Sequence, residues 1–185
     1  MDKISVGFCG PPASGKSTLS RAVAAALGWP RVGFGEYVRA EARRRGLAET
    51  RESLQRLGEF LVAEDVDAFC GAVLAPVGLV SGRSVIIDGI RHKVVVRAMQ
   101  DLLAPAELRL VYVGLDNASR ISRLIARENI VELSLEQIDA HSTEVEVSQY
   151  VMQQADLIVD GTDSIPVLTK KIVSWIRNQP KGKSL

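Results

Sequence analysis

Gly10-Pro11-Pro12-Ala13-Ser14-Gly15-Lys16-Ser17-Thr18 is the stretch around which this 185-residue sequence is organised. It follows an apolar run, Ile4 to Cys9, and precedes a helix-patterned segment, Ser17 to Leu27. The spacing G-x-x-x-x-G-K-[ST] between a strand and a helix is that of a loop that wraps phosphate. Gly10 and Gly15 permit backbone angles that a Cβ would penalise, so successive amide N–H groups can turn inward around phosphate oxygens. A helix starting near Lys16 adds the positive end of its dipole. Lys16 supplies a mobile cation for the β- and γ-phosphates, and the Ser17 hydroxyl is placed for Mg²⁺. Gly10, Pro12, Ala13, Ser14, Gly15, Lys16, Ser17 and Thr18 are thus the expected nucleoside-triphosphate cradle.

Composition bounds the rest. The length suits one domain over 1–185 with a substantial core. Apolar residues make up 46% and charged residues 24%, as in ordinary globular proteins. A net charge of +1 gives no global field towards nucleic acid or an anionic membrane. The Arg43-Arg44-Arg45 run reads as a solvated helix face. Cys9 and Cys70 form no C-x-x-C pair and have no clustered histidines, which argues against zinc or a disulfide framework. The short apolar N-terminus resembles neither a signal peptide nor a span, so a cytoplasmic location is expected.

Along the chain, strands alternate with helices. Strands are expected at Ile4–Cys9, Ser84–Asp88, Leu108–Val113 and Asp156–Asp160, and a short glycine-flanked stretch, Val32-Gly33-Phe34-Gly35, lies between the first two. Helices are expected at Ser17–Leu27, Glu36–Arg45, Lys93–Leu103, Ala118–Glu128, Ser134 to about Gln154, and after Ser164. One long helix, capped by Thr50 or Ser53, is expected to reach about Leu74, with Gly58 and Gly71 as places for a kink. The alternation implies an α/β protein: a five-stranded parallel sheet between two helical layers. Ligands in such sheets bind beyond the carboxyl ends of the strands, where Gly10, Asp88 and Asp116 stand.

Asp88 ends the apolar run Val85-Ile86-Ile87, and a carboxylate there can hold Mg²⁺ beside Ser17. Arg91, just past Gly89, adds a guanidinium where two phosphates must approach each other. Arg120, Arg123 and Arg127 share one face of their helix, opposite Ile121, Leu124 and Ile125.

The phosphate loop resembles that of adenylate kinases and related P-loop nucleoside monophosphate kinases. Phe34-Gly35-Glu36-Tyr37-Val38-Arg39 resembles their acceptor segment, which implies acceptor contacts from Gly35, Glu36 and Arg39. Asp88-Gly89-Ile90-Arg91 resembles their strand-three motif, with Arg91 on the acceptor phosphate; without a proline it looks closer to adenylate-kinase-like and dephospho-CoA-kinase-like proteins. Val159-Asp160-Gly161-Thr162 resembles the loop that packs on the donor adenine. The resemblance implies small helical insertions at about 33–75 for the acceptor and about 120–140 for a lid, with Arg120 on the donor and Arg123 and Arg127 on the transferring phosphoryl group. Ala13 stands where these kinases usually have glycine, and Asp139, His141 and Glu144 occupy a helix where they usually have an arginine.

The expected activity is ATP- and Mg²⁺-dependent transfer of a phosphoryl group to a small phosphorylated acceptor such as a nucleoside monophosphate, with Lys16, Asp88, Arg91, Arg123 and Arg127 as catalytic residues. No nucleic-acid or membrane partner is expected. The alternatives are a hydroxyl acceptor such as dephospho-CoA, or a nucleotide switch or NTPase acting through a protein partner. A guanine-reading N-K-x-D segment is missing, since Leu115-Asp116-Asn117 does not supply it.

Overall fold

Residues with alternating apolar faces build the sheet, and their two sets of side chains feed two separate cores. A computed structural model describes residues 4–78, 84–128 and 150–179. Its strands are β1 (Ile4–Cys9), β2 (Arg31–Gly33), β3 (Ile86–Asp88), β4 (Glu107–Gly114) and β5 (Leu157–Asp160). They form one sheet in the order β2-β3-β1-β4-β5, and every neighbouring pair is parallel. β1 is therefore central, with partners on both edges, which explains why its sequence is apolar almost throughout.

The helices are α1 (Lys16–Leu27), α2 (Phe34–Arg44), α3 (Arg51–Glu64), α4 (Val66–Leu74), α5 (Lys93–Leu103), α6 (Asn117–Glu128) and α7 (Ile165–Arg177). On one face of the sheet, Val6, Phe8, Ile86, Val111 and Val113 pack with Leu19 and Val23 of α1 and with Leu168, Ile172 and Ile176 of α7. On the other, Cys9, Ile87, Leu108, Leu110 and Tyr112 pack with residues of α2, α3, α4 and α5. Consecutive residues of β3 and β4 thus go to opposite layers, the period-two signature of a strand. Trp29 packs against the first core, as a structural residue.

The expected long helix is two helices. α3 ends at Glu64, and Asp65, in extended conformation, caps α4 by accepting from the Ala68 N–H. The break falls at neither glycine: an Asp that caps a new helix competes with the helical ladder it interrupts. Thr50 is the residue that caps α3, through the Ser53 N–H. β3 starts two residues later than expected, at Ile86. Ser164 stands at the N-cap of α7 without a side-chain cap bond, and Ile176 joins Leu168 and Ile172 as its buried stripe, while Ile165 and Trp175 are partly buried. The expected helix from Ser134 lies outside the described residues apart from 150–153, which are helical. The lid tip, Asp139, His141 and Glu144 also lie outside them.

Candidate nucleotide and acceptor site

Three glycine-rich turns meet at the carboxyl end of the sheet. Gly10 (φ 135°) and Gly15 (φ 89°) take left-handed angles, as the phosphate loop requires, and Ala13 also does so at φ 62°. A Cβ on Gly10 would sit 2.4 Å from the Val113 carbonyl oxygen, so the loop hugs the end of β4. α1 starts at Lys16 with Gly15 at its N-cap, and its first N–H groups have no acidic residue in the first turn to satisfy them. That leaves a helix N-terminus open to an anion. Lys16 is 8% exposed, and its Nζ donates to the Pro11 carbonyl at 3.0 Å. The loop thus holds its own cation folded back over the space a phosphate would fill.

The third turn, after β5, presses on the phosphate loop. Gly161 N–H donates to Gly114 O at 2.7 Å. Arg123 bridges the two turns: Nη2 donates to Gly161 O at 2.9 Å and Nη1 to Ala13 O at 3.4 Å. Thr162 is turned towards Asp160, whose Oδ1 accepts from both its N–H and its hydroxyl. These bonds hold the Asp160 carboxyl below its usual range. Arg120 is buried, with Nη1 on Asn117 Oδ1 at 3.2 Å, at the start of a helix that Asp116 caps through the Ser119 N–H. The arginine face of α6 is therefore turned to the cleft at Arg120 and Arg123. Arg127 lies in the last turn of α6, and its side chain is outside the described residues.

Asp88 closes β3 next to β1 and is buried. One oxygen, Oδ2, accepts from Arg31 Nη2 at 2.8 Å, while Oδ1 is buried with no hydrogen-bond partner among the described residues. An orphaned carboxylate oxygen is costly unless something comes to it. Oδ1 and the Ser17 hydroxyl are hard oxygen donors on one cleft, which fits Mg²⁺ completed by water and phosphate. Among the described residues there is no cluster of three or more His, Cys, Asp or Glu, so a site made only of protein ligands is not formed there.

Gly89 takes φ 86°, and a Cβ there would lie 3.9 Å from the Gly35 N. The loop that carries Arg91 thus leans on the start of α2, which carries Arg39. Both arginines line a single cleft of about 1460 Å³ that also includes Lys16, Ser17, Asp88, Arg120 and Arg123. Arg39 Nη1 rests on Gly35 O at 3.1 Å. Glu36, expected at the acceptor, lines the same cleft and is held by Arg31 and Arg21 at 2.9 Å each. Burial pushes its carboxyl up, and the bonds from Arg31 and Arg21 outweigh that and hold it below its usual range. Arg31 itself was invisible to motif reading: no pattern contains it, and only its contacts reveal it. Arg51, Gln55 and Glu59 of α3 also line the cleft without having been foreseen.

A glycine loop between β1 and α1, a strand-end aspartate on the neighbouring strand and a five-stranded parallel sheet define the P-loop kinase fold. Solved structures agree on the fold. A candidate kinase of Chloroflexus aurantiacus superposes with a TM-score of 0.64 at 21% identity, over 98% of this chain and 100% of that one. The shikimate kinase of Aquifex aeolicus gives 0.58 at 17% identity, over 97% and 100%. The sequence pattern of the AAA domain family matches residues 9–131. A UPF0200 protein of Aeropyrum pernix is 33% identical over 170 residues, 89% of this chain and 87% of that protein. The chain belongs to the AAA domain family. It also belongs with the UPF0200 proteins.

Among the described residues, no helix is long and apolar enough to cross a membrane.

Proposed function

We propose that the protein is an ATP-dependent kinase that transfers the γ-phosphoryl group to a small phosphorylated acceptor of the nucleoside monophosphate kind. The observation that carries this reading is the arrangement of cations along one cleft. Lys16 and the N-terminus of α1, Arg39 of α2 and Arg91 after β3 all line it. Two anions brought together need opposite charge on both flanks.

In this reading the loop amides and Lys16 hold the β- and γ-phosphates, and Arg39 and Arg91 hold the acceptor phosphate. An acceptor oxygen attacks the γ-phosphorus, the new P–O bond forms, and the bond to the β,γ-bridging oxygen breaks, so that ADP leaves. The acceptor phosphate is already anionic, so no proton has to be removed. Mg²⁺, held by Ser17 and Asp88, would neutralise charge on the β- and γ-oxygens. Arg123 braces the donor loop, and Arg120 and the Gly161-Thr162 turn flank the place for the donor base. Alignment of two held reactants supplies most of the acceleration.

A second reading has a specific observation behind it. The free Oδ1 of Asp88 could accept the proton of a hydroxyl acceptor, and the fold is shared with a shikimate kinase. Steady-state ADP formation with a panel of monophosphates, and with their dephosphorylated counterparts, separates the two. Stimulation by a monophosphate alone supports the first reading, stimulation by a hydroxyl compound the second. Slow turnover that no acceptor accelerates rejects both and leaves an NTPase switch.

A further inference from the structure

Arg31 lies outside every motif that points to phosphoryl transfer, yet its guanidinium ties the site together. Nε donates to Ser20 Oγ at 2.9 Å, Nη1 to the two Glu36 oxygens at 2.9 and 3.0 Å, and Nη2 to Asp88 Oδ2 at 2.8 Å. Its three partners stand on three elements. Ser20 belongs to α1, the helix of the phosphate loop; Glu36 belongs to α2, the helix that bears Arg39; Asp88 ends β3. The side chains of Arg31 and Asp88 are only 12% and 9% exposed.

Sheet register explains the reach. Gly33 is the β2 neighbour of Asp88, and Arg31 lies two residues earlier on the same face of the strand. The guanidinium then runs along the sheet edge towards the carboxylate. A planar fork with five donors in fixed directions can span three acceptors on three elements, whereas a lysine ammonium is a compact charge whose three donors have no such preset spread.

The effect falls on Asp88. A carboxylate with one oxygen locked has its rotation fixed, and its other oxygen, Oδ1, is the one left buried without a hydrogen-bond partner among the described residues. We propose that Arg31 is a positioning residue that aims Asp88 Oδ1 into the phosphate path and, through Glu36, links that aim to the seating of the acceptor helix α2. The proposal rests on the kinase reading for its catalytic consequence, while its effect on metal binding stands apart from the acceptor.

Its test uses Arg31→Lys, Ser20→Ala and Glu36→Gln in the full chain. Three quantities are read: Mn²⁺ binding to the ATP-loaded protein by electron paramagnetic resonance, kcat and KM for ATP and for the acceptor found by the panel above, and Tm. Arg31→Lys is expected to weaken Mn²⁺ binding about tenfold, the usual scale for losing the partner that orients a metal-binding carboxylate. It should lower kcat about 10- to 100-fold with ATP KM within about threefold, since misplacement by an ångström acts on the rate. Ser20→Ala, which removes the Nε anchor together with the bond that Ser20 Oγ donates to the Ser17 carbonyl at 3.0 Å, is expected to move both quantities in the same direction by a smaller factor. Glu36→Gln should raise the acceptor KM.

A folded Arg31→Lys protein with wild-type Mn²⁺ affinity overturns the proposal, whether or not its Tm falls. If that variant does not fold, wild-type Mn²⁺ affinity and kcat in Ser20→Ala, together with a wild-type acceptor KM in Glu36→Gln, overturn it equally. A wild-type protein that transfers to no acceptor rejects the kinase reading instead, and the Mn²⁺ measurement still decides the role of Arg31.

Discussion

Gly161 lies so close to Ser14 that a Cβ on it would stand 2.6 Å from the Ser14 carbonyl oxygen and 2.7 Å from that of Gly114. Both atoms are backbone, so neither can swing away. Gly161→Ala must therefore push the turn after β5 off the phosphate loop. Overpacking of this kind costs about 1–3 kcal/mol. The expected result is a lower Tm together with ATP affinity reduced about tenfold or more. Thermal unfolding and ATP titration check it, and wild-type values in both would remove the turn from the donor site.

Lys16→Ala removes the cation that the loop keeps over its own cavity. The rate of phosphoryl transfer is expected to fall by roughly 10²–10³-fold, the scale for losing one preorganised electrostatic group. Single-turnover measurement at saturating ATP reads this directly. Turnover that survives the change would dismiss the loop as the donor site.

Arg39→Ala should act on the acceptor alone. The side chain is exposed, and its Nη1 donates to the carbonyl of Gly35 on its own helix, so Tm should stay within about a degree or two. The acceptor KM is expected to rise at least tenfold with ATP KM unchanged. Equal rises in both would place Arg39 elsewhere.

Glu41 gives the fold a dependence on pH. Bonds from Arg44 and then Arg45, at 2.6 Å each, lower its carboxyl pKa to about 2 from an ordinary 4.5. A carboxyl held low stabilises the folded form when ionised. That contribution is complete above about pH 4.5 and disappears as the pH falls through about 2. The Tm gap between wild type and Glu41→Gln should accordingly be constant near neutrality and narrow progressively below pH 4.5. A gap that widens in acid contradicts the assignment.

The two thiols offer a probe of opening. Burial pushes both Cys9 and Cys70 up to about 12, although Lys16 pulls Cys9 slightly the other way. The Cys9 thiol is also occupied, donating to Val111 O at 3.3 Å. Neither is expected to react with a thiol reagent at pH 8 except at the rate of unfolding. Rapid labelling of the native protein would show that one core is open to solvent.

The parts legible in the sequence were those whose chemistry is local. The phosphate loop needs consecutive residues only, and the end of an apolar strand points to Asp88 without knowledge of its neighbours. Alternation of strands and helices carried the parallel sheet. Arg31 escaped because its meaning comes from Ser20, Glu36 and Asp88, three residues brought to it by the strand order β2-β3-β1. The two arginines that hold Glu36 were hidden for the same reason: no spacing reveals them. The break at Asp65 was hidden because a cap residue in a continuous helical pattern resembles one more exposed position. Arg123 illustrates a partial success, since its helix face was foreseen but not its grip on Ala13 and Gly161.

β2 is three residues long and passes into α2 without a loop, Gly33 ending the one and Phe34 starting the other. α2 is thus welded to the rim of the sheet. Any tilt of α2 is borne by Gly33 and by the few hydrogen bonds that bind β2 to β3. Amide exchange at Val32 and at Ile86, whose N–H donates to Pro30 O at 2.9 Å, then becomes a strain gauge for the occupancy of a site that neither residue lines.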